Sequence, residues 1–411
     1  MNVSDARLLA AEQPSGARAR QTAAYYIVFI VLGLTTASLG PTLPGLAGHL
    51  GVALSLMSSL FPIRSLGYLL GSLLSGRLYD RFPAHPIMVA MLAVMGVMMS
   101  LVPVLPFLPL LAAAFLVVGL CEGFIDVGGN TLIVWVHRDG VGPYMNALHF
   151  FFGVGAFLSP LIIAQVIALT GSFTWAYWIF SILFIPAAVW LARQPTPKSL
   201  HPHAPAQTAE KPSDTAAPRP PADPVLIAVI TVFFFLYVAG EVSMGGWAYS
   251  YATALGLGDP VTSAYLTSAF WGALTFGRLL SIPIAARLRS EQILWMDLIG
   301  VGISLAAVIL FPASGAALWA GVIGAGLFMA SVFPTMLAFA GQRMTITGQA
   351  TGLFLVGASL GGMSVPWIIG QLFEPVGPAV VMWAIAASVG LALACFGLVW
   401  LRSQTVGAWR R

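Results

Sequence analysis

A chain of 411 residues that is 59% hydrophobic and 8% charged stands far from soluble domains, which carry about 25% charged residues. That composition excludes soluble enzymes and nucleic-acid binders, and the net charge of +4 matters less than where the charges fall. Cys121 and Cys395 lie in apolar segments, which implies buried thiols and no disulfide framework.

Met1 to Gln21 is polar, and the apolar run after it is too long for a signal h-region. That run is therefore expected to stay as the first of twelve membrane spans. The spans are predicted at 22–44, 54–78, 86–104, 107–136, 141–169, 173–193, 224–252, 261–286, 291–311, 313–341, 347–372 and 377–402. The fourth is long enough to kink near Gly128 and Gly129. Residues 194–223 are rich in Pro, Ala, Thr and His and have no apolar period, so they read as an extended tether. The predicted organisation is a tail at 1–21, a six-span half at 22–193, the tether, a second half at 224–402 and a tail at 403–411.

Lys and Arg fall on one side only. Arg18 and Arg20 precede span one, Arg81 closes span two, Arg193 enters the tether, Arg287 follows span eight and Arg402 closes span twelve. The opposite loops contain neither residue, which puts both termini and the tether in the cytoplasm. The halves also repeat at an offset of 206 residues. Gly71-Ser-Leu-Leu-Ser75 matches Gly277-Arg-Leu-Leu-Ser281, and Pro160-Leu-Ile-Ile-Ala-Gln165 matches Pro366-Trp-Ile-Ile-Gly-Gln371. Six spans and six in parallel repeat is the major facilitator arrangement, with its substrate site between the halves. The predicted fold class is an all-α membrane protein of two six-helix bundles.

Gly76-Arg-Leu-Tyr-Asp-Arg81 resembles the major facilitator loop motif, with Pro83 in place of its usual Gly and His85 where a base is common. The resemblance implies a gating role for Asp80 and Arg81. Arg64-Ser-Leu-Gly-Tyr-Leu-Leu-Gly71, Asn146 to Ala156, Gly240-Glu-Val-Ser-Met-Gly-Gly-Trp247 and Phe270 to Arg278 are similar to the fucose/glucose:cation symporter branch, which includes the vertebrate sodium-dependent glucose transporter-like proteins. That likeness implies a sugar as substrate and a lipid bilayer as surroundings. The expected site is the plasma membrane, or the inner membrane in a prokaryote, with a monomer as the unit.

Arg64, Glu122, Asp126, Glu241 and Arg278 are ionisable side chains inside apolar spans, where each costs about 2.5–3.5 kcal/mol at the bilayer centre. Five of them imply a solvated cavity. A rise of about 1.5 Å per residue puts Arg64, Glu122 and Glu241 near the midplane, with Asp126, His149 and Arg278 closer to the cytoplasm. Glu122, Asp126 and Asn130 follow i, i+4, i+8 and share one helix face. Arg64 at matching depth is a counter-charge for Glu122 or Asp126, either as a permanent brace or as part of cation coupling. Glu241, flanked by Gly240, Gly245 and Gly246, is a candidate for carrying a proton or binding sugar hydroxyls. Arg278 suits a gate or a snorkelling side chain. A sugar also needs neutral polar groups and an aromatic face: Asn130, Asn146 and His149 with Trp247, Trp271 or Tyr68.

The chain contains no P-loop, no HExxH or CxxC metal motif and no GxSxG elbow. No enzymatic activity, catalytic residue, metal site or cofactor is expected. An ion gradient, H⁺ first and Na⁺ second, is left to drive uphill movement. The predicted function is sugar symport. The alternatives are a cation-coupled exporter of sugars or amphipathic compounds, and a non-transporting sensor on the same fold.

Overall fold

Asp-Pro pairs open two of the long helices: Asp223 accepts a hydrogen bond from the Val225 N–H at 3.0 Å and Asp259 one from the Thr262 N–H at 2.7 Å. Each satisfies a donor that the first helical turn leaves over, and the following proline has no N–H to satisfy. Gly51 and Gly171 end other helices at φ of 63° and 72°, a conformation that favours glycine. In this computed structural model, residues 15–197, 223–344 and 348–408 are described. The predicted tether falls outside them, apart from 194–197 and 223.

The helices follow the twelve predicted spans in order. They are α1 (Ser15–Thr36) with α2 (Leu39–Leu50), α3 (Leu54–Met57) with α4 (Leu60–Arg81), α5 (Ala84–Leu101), α6 (Leu108–His137), α7 (Gly142–Thr170) and α8 (Thr174–Ala192). The second half holds α9 (Pro224–Ala254), α10 (Pro260–Ala285), α11 (Ser290–Leu310), α12 (Gly315–Met329) with α13 (Val332–Arg343), α14 (Gly348–Val376) and α15 (Val380–Ala408). No strand occurs among the described residues. Nine stretches there are long and apolar enough to cross a membrane, ten with the bent pair α1–α2. The long helices outside that set, α4 and α10, carry Arg64 and Arg278. Their polarity belongs to a surface away from lipid.

Three predicted spans are broken, each just ahead of a proline. Pro41, Pro62 and Pro334 lack the N–H that would bond to Ala37, Ser58 and Ala330, and their rings crowd those carbonyls. The breaks fall there, at 37–38, 58–59 and 330–331. The kink anticipated near Gly128 and Gly129 does not interrupt the helix: α6 is continuous, and these glycines seat Tyr79 and Phe29 against its backbone.

Packing repeats between the halves. Helix α1 lies on α7 as α9 lies on α14, α4 on α6 as α10 on α12, and α5 on α8 as α11 on α15. Repeat-related glycines set two of these approaches. A β-carbon at Gly155 would lie 2.0 Å from the Ile30 carbonyl oxygen, and one at Gly361 would lie 1.9 Å from that of Phe235. Between the bundles, α7 packs on α10, α14 on α3 and α4, and α2 on α9.

Candidate functional site

Helices α4 and α6 approach closely because glycines alternate along the contact. A β-carbon at Gly119 would sit 1.9 Å from the Arg64 carbonyl oxygen, and one at Gly67 would sit 2.1 Å from that of Leu116. That approach aligns two rungs one helical turn apart. On the first, Arg64 Nε donates to Glu122 Oε2 at 2.8 Å and Nη2 to Oε1 at 2.7 Å. The pair is bidentate, and Glu122 is 3% exposed, so water hardly competes for it. On the second rung, the Tyr68 hydroxyl donates to Asp126 Oδ2 at 2.6 Å and Asn130 Nδ2 donates to Oδ1 at 3.0 Å.

The break in the first span completes the upper rung. Arg64 Nη1 donates to the Thr36 carbonyl at 3.1 Å, and the Thr36 hydroxyl donates to Glu122 Oε1 at 3.2 Å. The second half answers with a different set. The Tyr237 hydroxyl lies within hydrogen-bonding distance of Glu241 Oε2, and 2.7 Å from the Met329 carbonyl beside the break in the tenth span. Beyond that break, Ser331 donates to the buried carboxylate of Asp297.

These groups surround a cavity of about 1910 Å³ between the halves. Arg64, Glu122, Asp126, Asn146, His149 and Glu241 line it, together with Trp271 and Arg278. Its wall continues through Pro143, Ala285, Leu288 and Ser290, towards the end of the bundle that carries the helix ends Arg81 and Ala285. At the opposite end the halves touch. Gln165 donates to the Tyr265 hydroxyl, Gln371 donates to the Ser55 carbonyl at 2.7 Å, and the Leu54 N–H donates to Glu374 at 3.0 Å. Gln165 and Gln371 are repeat partners, so one clasp is made twice.

Two residues expected to meet substrate are held elsewhere. Trp247 is fully buried at the sealed end, where its indole N–H donates to the Pro366 carbonyl at 3.0 Å and its ring packs between Phe61 and Phe373. Asn130 is off the cavity wall, with its amide held by Asp126. Trp271 lies on the wall; its Nε1 is buried without a hydrogen-bond partner, and its ring fills the space a side chain at Gly245 would need. Arg278 reaches the cavity and forms no ion pair among the described residues. Arg81 is exposed at the open end and likewise forms no ion pair among the described residues; the side chain of Asp80 is outside the described set. Sequence reasoning passed over Asp297, 4% exposed, and Tyr237. An acid in the apolar run Ile293 to Leu310 was a legible signal for the first; nothing in the local sequence marks the second.

The family profile of the Major Facilitator Superfamily matches residues 25–366. The chain belongs to the major facilitator superfamily. Within it, the chain is 30% identical over 381 residues to sodium-dependent glucose transporter 1 of Xenopus laevis, covering 88% of this chain and 78% of the relative. It is 28% identical to sodium-dependent glucose transporter 1A of Mus musculus over 379 residues, 84% and 88% of the two chains. Among solved structures, a point mutant of the nucleoside transporter NupG superposes with a TM-score of 0.72 at 12% identity, over 93% of this chain and 99% of that one. At that identity the likeness concerns the fold. This superfamily chain is thus a multi-pass membrane protein of transporter type.

Proposed function

We propose that this protein is a secondary transporter that moves a hexose-type sugar together with a cation by opening its cavity to each side of the membrane in turn. The observation that carries the reading is the central cavity, sealed at one end by polar clasps and lined by acids, by Arg278 and by Trp271. Asn146, His149 and Trp271 are the groups for hydroxyls and a sugar face. Relatives named as sodium-dependent glucose transporters support a sugar.

For the coupling ion, the carboxylates favour H⁺ over Na⁺. Both oxygens of Asp126 already face hydrogen-bond donors, and Glu241 faces a hydroxyl. A metal cation needs several converging oxygens with lone pairs free to face it. With Lys and Arg on the cytoplasmic side, the present arrangement opens inward, both termini lie in the cytoplasm and the cell membrane is the site. The whole cavity is formed by one chain, which supports a monomer as the transport unit.

Counterflow in proteoliposomes with a panel of labelled sugars tests the substrate, and imposed pH or Na⁺ gradients test the coupling. Exchange of a hexose and its accumulation under a pH gradient are the expected results. Exchange of no sugar would overturn the reading. Accumulation under Na⁺ alone would replace the ion. In the same assay Glu241→Gln is expected to abolish accumulation and retain exchange, because the amide resembles a permanently protonated acid.

A further inference from the structure

Two of the broken spans, one and ten, are built alike and partnered differently. In each, the carbonyl five residues before the proline, Thr36 before Pro41 and Met329 before Pro334, faces a donor that also faces an intramembrane carboxylate. The repeat exchanges the roles. Span one is broken in the first half and its acid lies on span four. Span ten, the counterpart of span four, is broken in the second, and its acid lies on span seven, the counterpart of span one.

The difference is in the number of protons. A guanidinium has five N–H groups, so Arg64 serves both Glu122 oxygens and the Thr36 carbonyl at once. A phenol has one. Tyr237 has two acceptors in reach, Glu241 Oε2 and the Met329 carbonyl, and cannot serve both fully when Glu241 is ionised. When Glu241 carries a proton, the count closes: its O–H donates to the Tyr237 oxygen, and the Tyr237 O–H donates to Met329.

We infer that Glu241, Tyr237 and the Met329 carbonyl form a proton-operated clamp that ties α9 to the break between α12 and α13. The inference rests on the transport reading and deepens it by assigning the coupling proton to Glu241 rather than Glu122. With the acid protonated, the clamp is shut. When Glu241 gives its proton to cavity water, the carboxylate takes the Tyr237 O–H, tyrosine keeps its proton throughout, and the Met329 carbonyl loses its donor. The break is then free to bend, and Thr335 and Ala338 beyond it are cavity wall. The charged groups around the clamp are Arg278 from α10 and Asp297 from α11, which both act on Tyr237. Helices α14 and α15 bring no charged side chain to the cavity wall.

The test needs no substrate. Backbone hydrogen exchange at 327–336, taken relative to the intrinsic amide rate at each pH, is followed for the full chain in nanodiscs. The wild type is expected to be protected at low pH and to exchange about fivefold faster at high pH, the factor that one net hydrogen bond of about 1 kcal/mol carries. Glu241→Gln is expected to stay protected at every pH, and Tyr237→Phe to exchange fast at every pH. A pH-dependent step that survives in Tyr237→Phe, or its absence in the wild type, overturns the clamp. Failure of sugar counterflow alongside the expected exchange pattern would overturn the substrate reading and leave the clamp standing.

Discussion

Glu122 and Glu241 are both intramembrane acids, and the groups around them give them opposite duties. Glu122 is enclosed by three donors, two from a cation that keeps its charge in any protein. Removing one partner of such a pair leaves the other charge buried and uncompensated, which costs about 3–5 kcal/mol. Arg64→Met is therefore expected to lower the thermal midpoint sharply in detergent, whereas Arg64→Met with Glu122→Leu should recover most of the loss. If the double variant were no more stable than the single, the pair would not be the brace described here. Between the two readings of Arg64, brace or coupling partner, the bidentate geometry favours the brace. Asp126, one turn away and held by neutral donors, belongs to the cavity side of the same ladder.

At the scale of elements, two contacts can be tested separately. The sealed end depends on the repeat-related clasps of α7 on α10 and of α14 on α3. Gln165→Ala combined with Gln371→Ala is expected to favour the arrangement in which this sealed end opens instead. A cysteine at cavity residue Ser65 should then react faster with an impermeant maleimide added outside right-side-out vesicles; an unchanged rate would mean the clasps do not hold the seal. The second contact joins the start of α9 to the end of α15, where Arg402 Nε donates to Asp223 Oδ2 at 2.7 Å. That hydrogen bond holds the Asp223 carboxyl below its usual range. A folded-state value below the unfolded one gives stability that is present at neutral pH and lost as pH falls through the lowered value. The pair is partly exposed, so Asp223→Asn should cost no more than about 1 kcal/mol. Its deficit in melting should hold steady from pH 6 to 8 and close below about pH 3.9, the ordinary Asp value.

For the whole molecule, apolar run length and the one-sided Lys and Arg were enough to read twelve spans, and the offset repeat was enough to pair the halves. The cavity acids were legible too, because a charge in a long apolar run is costly unless water or a counter-charge meets it. Helix breaks were written in Pro41 and Pro334, yet only the fold shows which carbonyls they leave for Arg64 and Tyr237. Trp247 misled because an aromatic ring suits a sugar pocket and a tight seal equally well; depth along α9 decides, and that depends on how the halves lean. The seal itself has a further physical consequence. Among the described residues every ion pair lies within one half, and the contacts across the closed end are amide, hydroxyl and backbone bonds with a single carboxylate. Ionic screening acts on charges and hardly touches such bonds. Opening that end must instead hydrate each freed amide and hydroxyl. The cycling rate is therefore expected to be nearly level from low to high salt and to fall under osmotic stress, as water becomes scarcer for the parting surfaces.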